Sequence, residues 1–185
     1  AGGYEPFIQM VRSAFGHGGG LRYDHVMGLF RLFWIPQGAP PEEGAYVRYP
    51  HSDLLAILAL ESHRAQSIVV GEDLGTVEPG IRERLLSHNV LSYRLAYFES
   101  DNPSSYPECA LAGITNHDLP TLAGLLSGAD LEHQRRAGVV PNESFAAAAV
   151  AKIRRIADVG PEDPRDAAGP ALLHDQRSQR FPGAR

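Results

Sequence analysis

The sequence predicts an α/β fold, a truncated part of a parallel (β/α)8 barrel, and three observations carry that expectation. Short apolar runs stop at an acid three times: at Asp24 in Leu21-Arg22-Tyr23-Asp24, at Glu72 after Ile68-Val69-Val70-Gly71, and at Asp118 in Leu111-Ala112-Gly113-Ile114-Thr115-Asn116-His117-Asp118. Parallel barrel strands deliver their ends to one rim, where the chemistry is done, so strand-length runs that end in acids are what such a barrel produces. Helical segments alternate with these runs, as βα units require. The chain has 185 residues, whereas a closed barrel takes about 250, which makes the barrel a partial one.

In chain order, the apolar spacing predicts a helix near 5–15, a strand near 19–24, a helix near 51–64 and a strand near 66–71. A helix near 78–88, strands near 91–98 and 111–116, and a helix near 119–127 follow. Gly16-His17-Gly18-Gly19-Gly20 reads as a tight turn feeding the first strand; without any Gly-x-Ser-x-Gly it is no hydrolase oxyanion loop. Ser144 is placed to cap a last helix near 144–157, whose Phe145, Val150, Ile153 and Ile156 give one modest apolar face with no evident surface to pack on. From Gly160 onward, Pro161, Pro164, Gly169, Pro170, Pro182 and Gly183 interrupt scattered charges, so 160–185 reads as a flexible tail behind a folded part over 1–159.

The residues around the acids support a carbohydrate chemistry. Side chains alternate along a strand, so Arg22 and Asp24 point to one side and Tyr23 to the other. A guanidinium within a few ångströms favours an ionised carboxylate, the form a nucleophile needs. Glu72 ends a run apolar enough to be buried, a setting that suits a proton donor. Three such strand ends bring three acids to one sugar ring. Taken singly, each acid is more often a solvated or capping residue; the joint pattern is what counts.

Composition narrows the partners. A hydrophobic share of 43% supports a core, and a net charge of −5 lacks the basic footprint that nucleic-acid binding requires. No apolar run approaches the length of about 18 residues that marks a membrane span, and no basic region precedes an apolar stretch as in a signal peptide. The lone Cys109 has no internal partner. The eight histidines show no His-Glu-x-x-His spacing, so neither a metal site nor a cofactor is expected. These features fit a cytoplasmic protein.

Ordered along the chain, Leu21-Arg22-Tyr23-Asp24-His25-Val26-Met27-Gly28, Phe33-Trp34-Ile35-Pro36, Gly44-Ala45-Tyr46-Val47-Arg48-Tyr49-Pro50, Leu54-Leu55-Ala56-Ile57-Leu58-Ala59-Leu60-Glu61-Ser62, Val70-Gly71-Glu72-Asp73-Leu74-Gly75-Thr76 and His117-Asp118-Leu119-Pro120-Thr121 closely resemble the amylomaltases, the 4-α-glucanotransferases of glycoside hydrolase family 77. The likeness runs from about Gly3 to about Leu131. It implies a retaining transglycosylase of the α-amylase superfamily, with this chain covering strands four to seven of a TIM barrel and the remaining strands absent. On that resemblance Asp24 is the nucleophile, Glu72 the general acid/base and Asp118 the transition-state stabiliser. Arg22, which holds Asp24, is grouped with His25, His117 and Trp34 as substrate contacts; for Trp34, Tyr46 and Tyr49, stacking on sugar and lining the loop are equally weighted readings. The implied partners are α-1,4-glucans, maltooligosaccharides and glucose, together with the missing barrel half or a second copy, and the isolated chain is expected to lack turnover. An α-glucan hydrolase with the same acids and a non-catalytic truncated fragment are the alternatives. Two positions depart from the family pattern: Tyr23 replaces a branched aliphatic residue, a packing change, and Asn116 replaces Thr, nearer the sugar.

Overall fold

The computed structural model describes residues 3–100 and 102–158, and the predicted tail over 160–185 lies outside them. The described residues fall into two compact units divided between Tyr93 and Arg94.

The first unit begins with helix α1 (Glu5–Phe15), which opens with an acid and Pro6 and carries Arg12 in its last turn, both favourable to the helix dipole. Its buried Val11 and Phe15 face helix α2 (His51–Ala65), which buries Leu55 and Leu58. Gln66 stops α2 in the left-handed conformation at φ 53°. Strand β1 (Gly20–Tyr23) runs parallel to β4 (Ile68–Gly71), with Tyr23 opposite Gly71, and β4 runs parallel to β5 (Val90–Leu95), with Val69 opposite Val90. Helix α3 (Ile81–Ser87) makes the crossover from β4 to β5 and buries Ile81 and Leu85. Val69 and Val70 are buried, as their run predicts. Tyr23 packs against the core cluster of Val11, Leu58, Val69 and Val90. Each fully buried aliphatic side chain there contributes about 1.5–3 kcal/mol, so this cluster, not strand propensity, holds the acid-bearing strand ends.

Two elements between β1 and α2 were not expected. Strands β2 (Arg31–Trp34) and β3 (Ala45–Arg48) form an antiparallel hairpin with Phe33 opposite Tyr46. A consecutive run such as Leu32-Phe33-Trp34 lacks the alternation that signals a strand, because both faces here remain exposed. Gly44 is required: a Cβ at this position collides with the Phe33 ring.

In the second unit, the chain leaving β5 lies beside β6 (Ala110–Gly113), with the Ala96 N–H donating to Gly113 O at 2.9 Å and the Tyr97 N–H to Ile114 O at 3.1 Å. Helix α4 (Leu122–Ser127) is capped by Thr121, whose Oγ1 accepts the Gly124 N–H. Helix α5 (Ala129–Arg136) was not expected either. Its only apolar residues are Ala129 and Leu131, too few for an apolar period; Gln134 and Asp130 bridge one of its turns at 2.6 Å. Helix α6 (Glu143–Asp158) corrects two expectations. Its cap is Asn142, whose Oδ1 accepts the Ser144 hydroxyl at 2.9 Å and the Phe145 N–H at 3.0 Å. It also has a packing surface, since Ala149 and Ile153 meet Leu125, Tyr97 and Ile114. Lys152 donates to the carbonyls of Glu99 and Tyr97, and burial lowers its pKa.

Candidate active site

Register is what brings the first two acids together. Beyond the matched pair Tyr23 and Gly71, the Glu72 N–H donates to Tyr23 O at 2.9 Å and the Val26 N–H to Glu72 O at 3.0 Å, so the ladder continues one step past both strands. Asp24 and Glu72 occupy that step, at the carboxyl ends of neighbouring parallel strands. Gly71 fits closely there: a Cβ would stand 3.0 Å from Val90 Cγ1 and 3.1 Å from Val26 Cγ2, so both valines would have to give way.

Each carboxylate has fixed partners. Arg22 Nη1 lies 2.6 Å from Asp24 Oδ1, the juxtaposition that strand alternation predicts. The Asp24 side chain remains open to solvent on its other sides. Glu72 is half-buried, and in place of an apolar mouth both its oxygens accept backbone N–H groups, from His25 at 3.0 Å and from Leu74 at 2.8 Å. His25 adopts φ 44°, a left-handed step rare outside glycine and costing about 1 kcal/mol. That step redirects the chain after Asp24, and the same residue's N–H reaches Glu72. Thus His25 ties the two strand ends together through its backbone, whatever its ring does.

Three groups at this site were missed by the sequence reading. Asp73, fully buried, accepts from Arg82 Nε at 2.8 Å, Ser92 Oγ at 2.7 Å and the Tyr93 N–H at 2.9 Å. Tyr93 is buried, and the Arg22 guanidinium carbon sits 5.1 Å from its ring centroid. Arg82 completes the set. The available signal was alternation: a residue following Glu72 on an extended backbone points the other way, into the interior, where a carboxylate requires partners.

Trp34 lies on the hairpin, with its indole N–H donating to Tyr49 Oη at 2.8 Å and more than half of its surface exposed. Arg31, at the foot of the same hairpin, pairs with Glu78 at 2.8 Å and stands 4.1 Å over the Tyr46 ring. No recorded contact joins Trp34 to Asp24 or Glu72. His117 and Asp118 lie in the second unit, after β6, with His117 Nε2 3.2 Å from Asp118 Oδ1. Asn116 Oδ1 accepts the Asp118 N–H at 3.1 Å, a turn-forming bond that gives this departure from the family pattern a local role.

Elsewhere, a shallow pocket lined by Arg12, Phe15, Glu61 and Arg64 contains none of these acids. Glu61, buried there, is held by Arg12 at 2.8 and 3.0 Å and by Arg64 at 2.7 Å, which lowers its pKa. Among the described residues no group of three or more His, Cys, Asp or Glu gathers as a metal site, and no helix is long and apolar enough to cross a membrane.

Comparison with known proteins bears on most of the chain. The 4-alpha-glucanotransferases of Mycobacterium bovis and Mycobacterium tuberculosis are 42% identical over 172 residues, covering 83% of this chain and 24% of theirs. That of Haemophilus influenzae is 44% identical over 148 residues, covering 77% of this chain and 21% of its own. The chain therefore spans about a quarter of the length of these curated relatives. Among solved structures, the amylomaltase from Corynebacterium glutamicum superposes with a TM-score of 0.69 at 39% identity, over 81% of this chain and 22% of that one. The amylomaltase from Streptococcus agalactiae in complex with acarbose gives 0.56 at 18% identity, over 79% of this chain and 32% of that one, a likeness of fold alone. The family likeness extends past Leu131: residues 1–160 match the family described as 4-alpha-glucanotransferase, Glyco_hydro_77, and the chain belongs to that family.

Proposed function

We propose that this region carries the catalytic acids of a 4-α-glucanotransferase, an enzyme that cleaves an α-1,4-glucan and passes the released segment to the 4-hydroxyl of another sugar. The observation that carries this reading is the placement of Asp24 and Glu72 at the same step of neighbouring parallel strands, in a chain of this family. In this reading β1, β4, β5 and β6 are strands four to seven of a (β/α)8 barrel, with residues 1–159 as the later part of a catalytic domain.

A retaining enzyme places two carboxyls about 5–5.5 Å apart across the scissile bond. The Asp24 carboxylate attacks the anomeric carbon as the glycosidic bond breaks, and Glu72 gives its proton to the departing oxygen. In the second half, the acceptor 4-hydroxyl gives its proton to Glu72 while its oxygen attacks the same carbon and the bond to Asp24 breaks. Arg22 holds Asp24 in place through the contact from Nη1 to Oδ1. Asp118 binds ring hydroxyls more tightly as the ring flattens toward an oxocarbenium ion, with His117 beside it. His25 and Trp34 complete the substrate contacts, the exposed indole face offering a stacking surface for a sugar ring. Maltooligosaccharides serve as donors and glucose or shorter glucans as acceptors, in the cytoplasm.

The test is incubation of the intact protein with maltotriose. Glucose together with maltodextrins longer than the substrate is the expected result, and Asp24→Asn should lower turnover by at least about a thousandfold. Products confined to shorter sugars at high substrate concentration would make the protein a hydrolase. Full activity in the Asp24→Asn protein would remove both enzymatic readings.

A further inference from the structure

We infer that Tyr93 is a positioning residue for the nucleophile, acting through Arg22, a role that rests on the assignment of Asp24 above. Arg22 is not fully satisfied by its carboxylate. Its Nη1 takes Asp24, while Nε and Nη2 are buried and have no hydrogen-bond partner among the described residues. A guanidinium left this way swings between rotamers unless another surface holds it, because buried N–H groups without acceptors are costly. The ring of Tyr93, 5.1 Å from the guanidinium carbon, is that surface: an aromatic face attracts a cation and accepts N–H groups weakly over a broad area.

The backbone that carries the ring is itself anchored. Tyr93 is buried, and its N–H donates to Asp73 Oδ1 at 2.9 Å. Asp73 is locked in turn by Arg82 and Ser92 and follows Glu72 directly in the chain. A single run of contacts, from Arg82 through Asp73, Tyr93 and Arg22 to Asp24, therefore passes next to the acid/base at Asp73 and ends on the nucleophile. Tyr93 fixes the direction of Asp24 without touching sugar, and its phenol hydroxyl takes no part. The ring is what the role requires.

Four variants of the intact protein test this: Tyr93→Phe, Tyr93→Leu, Arg22→Gln and the Tyr93→Leu/Arg22→Gln pair, assayed for kcat and KM on maltotriose and for fluoride release from α-maltotriosyl fluoride, with melting curves alongside. Tyr93→Phe should keep kcat within about twofold, since the aromatic face remains. Tyr93→Leu should lower kcat about tenfold on both donors with little change in KM, the signature of a lost transition-state geometry. In the Arg22→Gln background the same change should have almost no further effect on kcat, whereas a packing role would give the same loss in both backgrounds. Should Tyr93→Leu fail to fold, Tyr93→Met, whose unbranched and flexible side chain adapts to the space left by the ring, is read identically. Equal losses in the two backgrounds, or a Phe variant as poor as Leu, would overturn the role of Tyr93. Asp24→Asn separates this from the reading beneath it: a dead Asp24→Asn protein with additive Tyr93 effects defeats the positioning role alone, while an active one defeats the assignment of the nucleophile.

Discussion

Asp24 and Asp118 end apolar runs that look alike in the sequence, yet they are held in different ways. Asp24, in the first unit, is gripped by Arg22 and stands one ladder step from Glu72, whose oxygens accept N–H groups from His25 and Leu74. Asp118, in the second, is held by its own turn, with Asn116 beneath its N–H and His117 beside its carboxylate. Support for the first pair comes from residues far apart in sequence and reaches into a core of fully buried Val11, Leu58, Val69 and Val90. Support for the third acid comes from three consecutive residues. A defect in the first case therefore spreads to folding, and in the second it stays local.

The largest expected effect that sharpens this contrast is at Asp73. Replacing it with Ala leaves the Tyr93 N–H and the Ser92 hydroxyl without an acceptor, at about 1–3 kcal/mol for such buried groups. Arg82 is partly exposed and regains water, so the larger cost of a wholly buried orphan charge does not apply. Asp73→Ala should therefore lower the melting temperature of the intact protein by several degrees and reduce turnover as well, both read on one preparation. Unchanged melting with unchanged turnover would mean that the first pair of acids is also locally held.

A smaller effect belongs to Asn116. The Asn116→Ala change removes one exposed turn bond, worth about 0.5–1 kcal/mol, so kcat/KM on maltotriose should fall about threefold while the melting curve stays put. Asn116→Thr should recover much of that loss, because a hydroxyl forms the same turn more weakly. A melting shift as large as that of Asp73→Ala would erase the distinction drawn here.

How far the sequence alone reached follows the same division. Strand β4 was legible because a buried parallel strand is a continuous apolar run, β1, β5 and β6 because short runs with apolar residues lie between turn signals, and α1 and α2 because their buried residues repeat at helical spacing. The hairpin of β2 and β3 was not, since a ribbon exposed on both faces has no alternation to read. Helix α5 hid for the opposite reason, being polar apart from Ala129 and Leu131. Asn142 took the cap assigned to Ser144 because residues two apart compete for the same turn, and only geometry decides which side chain folds back. Arg22 beside Asp24 needed nothing beyond strand alternation. Tyr93 and Asp73 needed the register of three strands, information that no single run contains.

In the proposed mechanism Asp24 is the nucleophile and Glu72 its proton partner on the neighbouring strand. Glu72→Gln removes the proton that a sugar leaving group requires, but fluoride departs with little help, so the first half of the reaction continues while the second, lacking its base, slows. The intact Glu72→Gln protein, treated with α-maltotriosyl fluoride and digested, should yield one peptide heavier by a maltotriosyl group, the one bearing Asp24, as read by mass spectrometry. Fluoride release with no adduct, or an adduct on any other carboxylate, would contradict the assignment.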